Sequence, residues 1–196
     1  MKKPITVMAM TAALMLSTTS GALAVRQHTD HHSEDTDTQA NVSRELAKLK
    51  RETAENRRLS HALDDGYEAF AIPPEVGGTS TAGLGLVGNP TCFDSAAGGM
   101  GVHYVKGIDG NVDATDPEAM VYEIKAGGRL KLVGVEYIVP DELVDPANPP
   151  MLFGQKFHHH EYLPVYILHV WAWKHNPSGL FGDYNPNVRA CPARTP

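Results

Sequence analysis

Three polar residues interrupt otherwise apolar segments, and their side chains are of the kinds that bind metals or transfer protons. His103 lies within GGMGVHYV, Glu136 within LVGVEYIVP and His169 within LPVYILHVWAWKH. Because side chains alternate between the two faces of a strand, each of these polar groups shares a face with apolar neighbours. A buried carboxylate is costly unless it has a partner. We therefore treat the three residues as one candidate site.

The chemistry of this group depends on whether its strands pair with matching faces. Cross-strand neighbours stand about 4.5 to 5.5 Å apart at Cβ, which would let His103, Glu136 and His169 converge. Two imidazoles and one carboxylate commonly bind a divalent transition metal such as zinc, copper or iron and leave a position open. The same three residues without a metal would form either an acid/base pair tuned by burial or an ion pair that fixes strand register. All three interpretations stay open at this point.

The last apolar segment adds further candidates for a ligand pocket. Counting alternate residues from His169 predicts that Trp171, Trp173 and His175 share its face, with His175 either at the rim of a pocket or capping a turn. Glu123 is a further carboxylate among apolar residues, which would either join the group or face water. Apolar, aromatic walls around a few polar groups are typical of small-ligand sites.

The histidine run His158, His159 and His160 has a different character. Successive side chains cannot all point in one direction, so we expect an exposed run that binds metal only adventitiously. The same holds for His28, His31 and His32 in the polar N-terminal segment.

No familiar catalytic motif narrows the chemistry. The sequence contains neither a nucleophile elbow nor an HExxH pair, and GLGLVG at residues 83–88 lacks the strand and helix that a dinucleotide site requires. The substrate class is therefore open.

The elements that must position these residues follow from periodicity and turn residues. A sparse apolar stripe between residues 42 and 67 predicts one long amphipathic helix ending near Gly66. Residues 71–99 are rich in Gly and Pro and predict a loop. Four strands follow, at 100–106, 120–125, 129–139 and 163–175. The predicted fold is α+β, with the helix packed on a curved antiparallel sheet of about four strands; a small β-barrel with a covering helix is the alternative.

The N-terminus indicates export. Residues 1–24 have two lysines, an apolar run and small residues ending in Ala24, which is the order of a secretory signal peptide. We expect a periplasmic or secreted protein with a disordered polar leader at 25–41, a single globular domain at 42–196 and no membrane span. The net charge is −6, and loss of the two lysines makes it −8, which argues against nucleic acid as a partner and leaves a small molecule or metal ion.

Cysteine usage agrees with an exported chain. Cys92 and Cys191 are the two cysteines of the sequence, and in an oxidising compartment such a pair predicts one disulfide.

Four motifs in this order resemble a family of uncharacterised exported bacterial proteins: GGMGVHYV, LVGVEYIVP, LFGQKF and LHVWAWKHNPSG. The resemblance covers roughly residues 50 to 191 and includes His103, Glu136, His169 and His175. It implies no activity. The hypotheses are therefore a ligand- or metal-binding domain, a metal-assisted hydrolase or oxidoreductase, and a structural module of the cell envelope.

Overall fold

The computed structural model describes residues 31–73 and 75–193, with side chains from Thr38 onward. The predicted signal peptide and His28 lie outside these residues. The described elements are the helices α1 (His31–Glu52) and α2 (Leu59–Asp64) and the strands β1 (Glu68–Ala69), β2 (Thr79–Ser80), β3 (Thr91–Ser95), β4 (Gly98–Val105), β5 (Ala119–Ile124), β6 (Leu130–Pro140), β7 (Met151–Leu152), β8 (Gln155–Lys156), β9 (His158–His159) and β10 (Val165–Val170). Short 3₁₀ segments cover Glu55–Arg57, Ala126–Gly128 and Asp141–Leu143.

Most of the regular structure is one antiparallel sheet that curls into a half-barrel. Seven strands follow one another in the order β2-β3-β4-β5-β6-β10-β9. The short β1 is an eighth strand, which pairs with the end of β4 near Val105. The strands β7 and β8 form a separate hairpin. The predicted sheet of about four strands is wrong because β1, β2, β3 and β9 have only two to five residues each, too few to show a period. Tertiary pairing makes them strands.

The predicted continuous helix is also wrong at both ends. The helix α1 begins at His31, within the segment predicted to be a disordered leader, and it ends at Glu52. A 3₁₀ turn and the short α2 follow. The Tyr122 hydroxyl donates a hydrogen bond of 2.6 Å to the carbonyl of Asn56, so a tertiary contact holds the break. Within the described residues, neither helix has the length and apolarity that would carry it across a bilayer.

The helices cover one face of the sheet, which forms the main core. Leu49 of α1 and Ala62 of α2 are buried there against the sheet. The tyrosines of this core each donate a hydroxyl to a backbone carbonyl outside the sheet; besides Tyr122 these are Tyr67, Tyr104 and Tyr137. Since a buried hydroxyl without a partner is costly, these bonds fix helices and loops against the sheet.

The C-terminal segment is held against the sheet by a disulfide and a buried carboxylate. Cys92 and Cys191 are bonded, as predicted, with their Cα atoms 5.8 Å apart. Glu123 neither joins the candidate site nor faces water; it is fully buried, and its carboxylate accepts from the ammonium groups of Lys125 and Lys174 and from the backbone N–H of Arg189. Its three donors compensate the desolvation cost.

A second buried carboxylate, Glu118, should make stability depend on pH. Its Oε2 accepts a hydrogen bond of 3.0 Å from the N–H of Ile138, and burial raises the pKa of Glu118 to about 7. The folded protein therefore binds a proton that the unfolded chain releases, so this contribution to stability is full below about pH 4.5 and is lost as the pH rises through 7.

We expect Glu118→Gln, which keeps the acceptor oxygen but cannot ionise, to match the wild-type protein at pH 5. At pH 8 it should be more stable, by on the order of 2 to 3 kcal/mol. Urea unfolding at both pH values measures this. An equal difference at pH 5 and pH 8 would contradict the assignment.

Candidate metal centre

The open face of the sheet carries the polar residues predicted from the sequence. In the register of the strands, Glu136 of β6 lies directly opposite His169 of β10 and, on its other side, opposite Ala119 of β5. His103 of β4 lies opposite Val121, two residues further along β5 than Ala119. The small side chain of Ala119 leaves room for His103 and Glu136 to meet diagonally across β5.

The three side chains converge. The Nε2 atom of His103 lies 3.4 Å from Oε2 of Glu136, and the Nε2 atom of His169 lies 3.5 Å from Oε1. One ligand atom from each residue can be chosen so that all lie within 4.8 Å of one another. All three residues are at most 7% exposed.

Neither histidine closes a hydrogen bond with Glu136. Both ring nitrogens of His103 and the Nε2 atom of His169 are buried and have no hydrogen-bond partner within the described chain, although both Nε2 atoms lie at ion-pair distance from the carboxylate. Buried polar atoms are normally satisfied, so these three nitrogens require an explanation. A structural ion pair that fixed strand register would be expected to satisfy them.

Burial shapes the protonation of the group. Burial, followed by the nearby His169, lowers the pKa of His103 to about 3, so its imidazole is neutral and its lone pair is free to bind. Burial raises the pKa of Glu136. Burial alone would lower the pKa of His169, but the carboxylates of Glu136 and Asp183 raise it above its usual value.

Asp183 orients His169 from behind. Its Oδ1 atom lies 3.3 Å from Nδ1 of His169, which must be the donor because an ionised carboxylate only accepts. Burial opposes ionisation of Asp183, but hydrogen bonds from His158 and His169 hold its pKa below the usual range. In the neutral form of the ring, Nδ1 carries the proton and the lone pair of Nε2 points toward Glu136. A carboxylate behind a ligating histidine is the usual outer partner in metal sites.

The sequence patterns did not identify Asp183. It lies in the segment GLFGDYNP, where turn residues follow one another without a period, so no alternation indicated its direction. The motif LHVWAWKHNPSG of the family resemblance ends at Gly179, four residues before Asp183.

The histidine run at 158–160 lies at the rim of the same face. The exposed residues His158 and His159 form β9, which pairs with β10. The Nε2 atom of His158 lies 3.2 Å from Oδ2 of Asp183, and the Nε2 atom of His159 lies 2.8 Å from Oδ2 of Asp141. The Nδ1 atom of His160 accepts the N–H groups of residues 162 and 163. The run was predicted to be exposed, and His158 and His159 are exposed. Each ring also has a protein partner, and adventitious metal binding by the run stays a prediction.

The remaining pocket candidates divide between two faces. The Trp171 ring lies nearly parallel to the His169 ring, at 11° and 6.4 Å between centroids, and packs behind it. Trp173 instead packs on the main core, beneath the guanidinium of Arg57. The side chain of His175 is exposed, and its backbone carbonyl accepts from two asparagine side chains. Trp173 and His175 therefore lie away from the three converging side chains.

A cavity of about 510 Å³ opens above the converging side chains, with His103 and Glu136 in its lining. Its size is typical of sites for small molecules. The floor therefore offers metal ligands, while the space above them is large enough for a bound molecule.

No family model, no curated protein and no solved structure matches this chain. The resemblance stated from the four motifs stays a prediction.

A substitution can test whether Asp183 orients His169 for metal binding. Asp183→Asn keeps the shape but weakens the acceptor that fixes the His169 tautomer. We expect it to reduce zinc affinity about 10- to 100-fold, as loss of an outer partner does elsewhere. Asp141→Asn is the matched control, since Asp141 contacts His159 at the rim. Equal zinc affinities for the two variants in a chelator competition would contradict this role.

Proposed function

We propose that this protein binds a divalent transition metal through His103, Glu136 and His169 and presents the open coordination position to a small molecule in the cavity. The observation that carries the proposal is the approach of two imidazole Nε2 atoms to the two oxygens of one buried carboxylate. Two imidazoles and a carboxylate suit zinc, iron and copper alike.

The two nitrogen–oxygen distances agree with zinc, which is the metal that we propose to test. Ligand atoms bound at about 2.0 to 2.2 Å in a tetrahedral arrangement stand about 3.3 to 3.6 Å apart. The two nitrogen–oxygen distances of 3.4 and 3.5 Å, each to a different oxygen of Glu136, fall in this range, and one ligand atom from each of the three residues lies within 4.8 Å of the others. A metal here would also satisfy the two Nε2 atoms, although not Nδ1 of His103, for which the described residues offer no hydrogen-bond partner.

The predicted signal peptide supports a role outside the cytoplasm, and the disulfide agrees with it, because such bonds persist in oxidising compartments. We propose that the protein holds its metal there.

Metal content and thermal stability of protein purified without a polyhistidine tag test the proposal. We expect one tightly held zinc per chain, with weaker binding at the histidine-rich rim and N-terminal segment. Zinc at 100 times its dissociation constant should raise the unfolding free energy by about 2.7 kcal/mol over the chelator-treated protein. The absence of both a tight equivalent and a thermal shift would overturn the proposal.

A further inference from the structure

The walls of the cavity differ in character from its floor. Above His103 and Glu136 the lining is largely apolar and includes Phe70, Ile72, Met100, Ile138, Val165 and Ile167. These residues come from three strands, β4, β6 and β10, and from the segment after β1. A hydrated ion needs no such surface, so the walls indicate a ligand with an apolar body.

Three exposed apolar residues belong to the same lining. Val76 is 44% exposed, Ile108 is 42% exposed and Tyr162 is 70% exposed. Exposed polar residues, His158, His159 and Glu161, also line the cavity. Single exposed apolar residues are ordinary on a protein surface, so the apolar residues inside the cavity carry the inference.

Charge at the floor specifies the other end of the ligand. A divalent metal bound by two neutral imidazoles and the Glu136 carboxylate keeps one uncompensated positive charge in a buried place. The other carboxylates of the lining are already engaged or lie in water: Asp183 contacts His158 and His169, Asp94 accepts a hydrogen bond from the N–H of Cys191, and Glu161 is exposed. Buried charge is costly unless it is paired, so one anionic oxygen donor from the ligand would complete the site.

We propose that the cavity binds a monoanionic amphiphile, in which a carboxylate binds the metal and a medium-length apolar chain fills the cavity. This inference rests on the proposed metal site. Octanoate is the probe, and acetate carries the same head group without the chain. Since each buried methylene favours binding several-fold, octanoate should bind the zinc-loaded protein more than about 100-fold more tightly than acetate. Chelator-treated protein should bind octanoate much more weakly than zinc-loaded protein.

Calorimetric titration of the full chain with zinc alone, and then with each carboxylate, separates the two proposals. If zinc binds but octanoate binds no better than acetate, the inference about the ligand fails and the metal site stands. If zinc itself does not bind, both fail. Octanoate binding that is equally tight without zinc would overturn the assignment of its carboxylate to the metal.

A matched pair of valine variants tests the direction of the apolar chain. Val76→Asp places a carboxylate at the mouth, and we expect about tenfold weaker octanoate binding with unchanged zinc affinity. Val87→Asp is the control, because Val87 is similarly exposed, at 55%, but does not line the cavity. Equal octanoate affinities for the two variants would contradict placement of the chain in this cavity.

Discussion

Replacement of His169 by alanine is expected to weaken zinc binding more than about 1,000-fold, because loss of an outer partner alone typically costs 10- to 100-fold and His169 is a proposed direct ligand. The variant also removes the contact with Glu136. Competition with a chromogenic chelator measures the dissociation constant. His175→Ala is the control, since His175 is exposed and lies away from the cavity; its zinc affinity should equal that of the wild-type protein.

His169 is buried, so its truncation leaves a space that could disturb folding. His169→Gln fills most of that space and should lose zinc affinity to a similar extent while keeping a cooperative unfolding transition. His103→Ala should have the same effect on zinc, and the double variant should lose little more, because ligands of one ion act as a unit. A folded His169→Gln protein with wild-type zinc affinity would contradict the role of His169.

Removal of the disulfide should cause the second large effect. The bond between Cys92 and Cys191 links positions 99 residues apart, and the chain-entropy model gives about 4 to 5 kcal/mol for a loop of this length. The double variant Cys92→Ser/Cys191→Ser should therefore unfold about 8 to 20 °C lower. Thermal unfolding by circular dichroism measures this shift.

Comparison with reducing agent separates the bond from the side chains. Wild-type protein in dithiothreitol should unfold near the temperature of the double variant, and dithiothreitol should not change the variant further. A double variant that unfolds within about 2 °C of the oxidised protein would show that the loop contributes little.

The central strands of the fold could be predicted because they are long enough to show alternation. The segments around His103, Glu136 and His169 became β4, β6 and β10, and their polar residues share one face as counted. The short strands could not be predicted, because segments of two to five residues are too short to show a period. They become strands only by pairing with neighbouring strands. The break after α1 likewise depends on a contact with Tyr122, which is far away in sequence.

Local irregularities explain the misplaced residues. Counting from His169 predicted that Trp173 shares its face, but β10 ends at Val170, and the N–H of Ala172 bonds to the carbonyl of Val170. This tight turn breaks the alternation and sends Trp173 to the main core. In β6 a bulge leaves Val133 without a partner residue in β5, so Val133 packs on the opposite face from Val135, whereas regular alternation would put both on one face.

A bulge also helps to build the site. In β4 the register shift beside Phe93 leaves Met100 unpaired, and Gly101 adopts a positive φ of 103°. A Cβ at Gly101 would lie 2.3 Å from the carbonyl oxygen of Tyr122, so only glycine fits. Met100 and His103 consequently both face the cavity, which strict alternation would not allow.

Anomalous diffraction at the zinc absorption edge, from crystals of the zinc-loaded protein, tests the metal site most directly. We predict one strong peak within about 2.0 to 2.2 Å of the Nε2 atoms of His103 and His169 and of a Glu136 carboxylate oxygen. A strong peak at the rim histidines 158–160 with none among these three residues would contradict the account, as would crystals with no zinc peak.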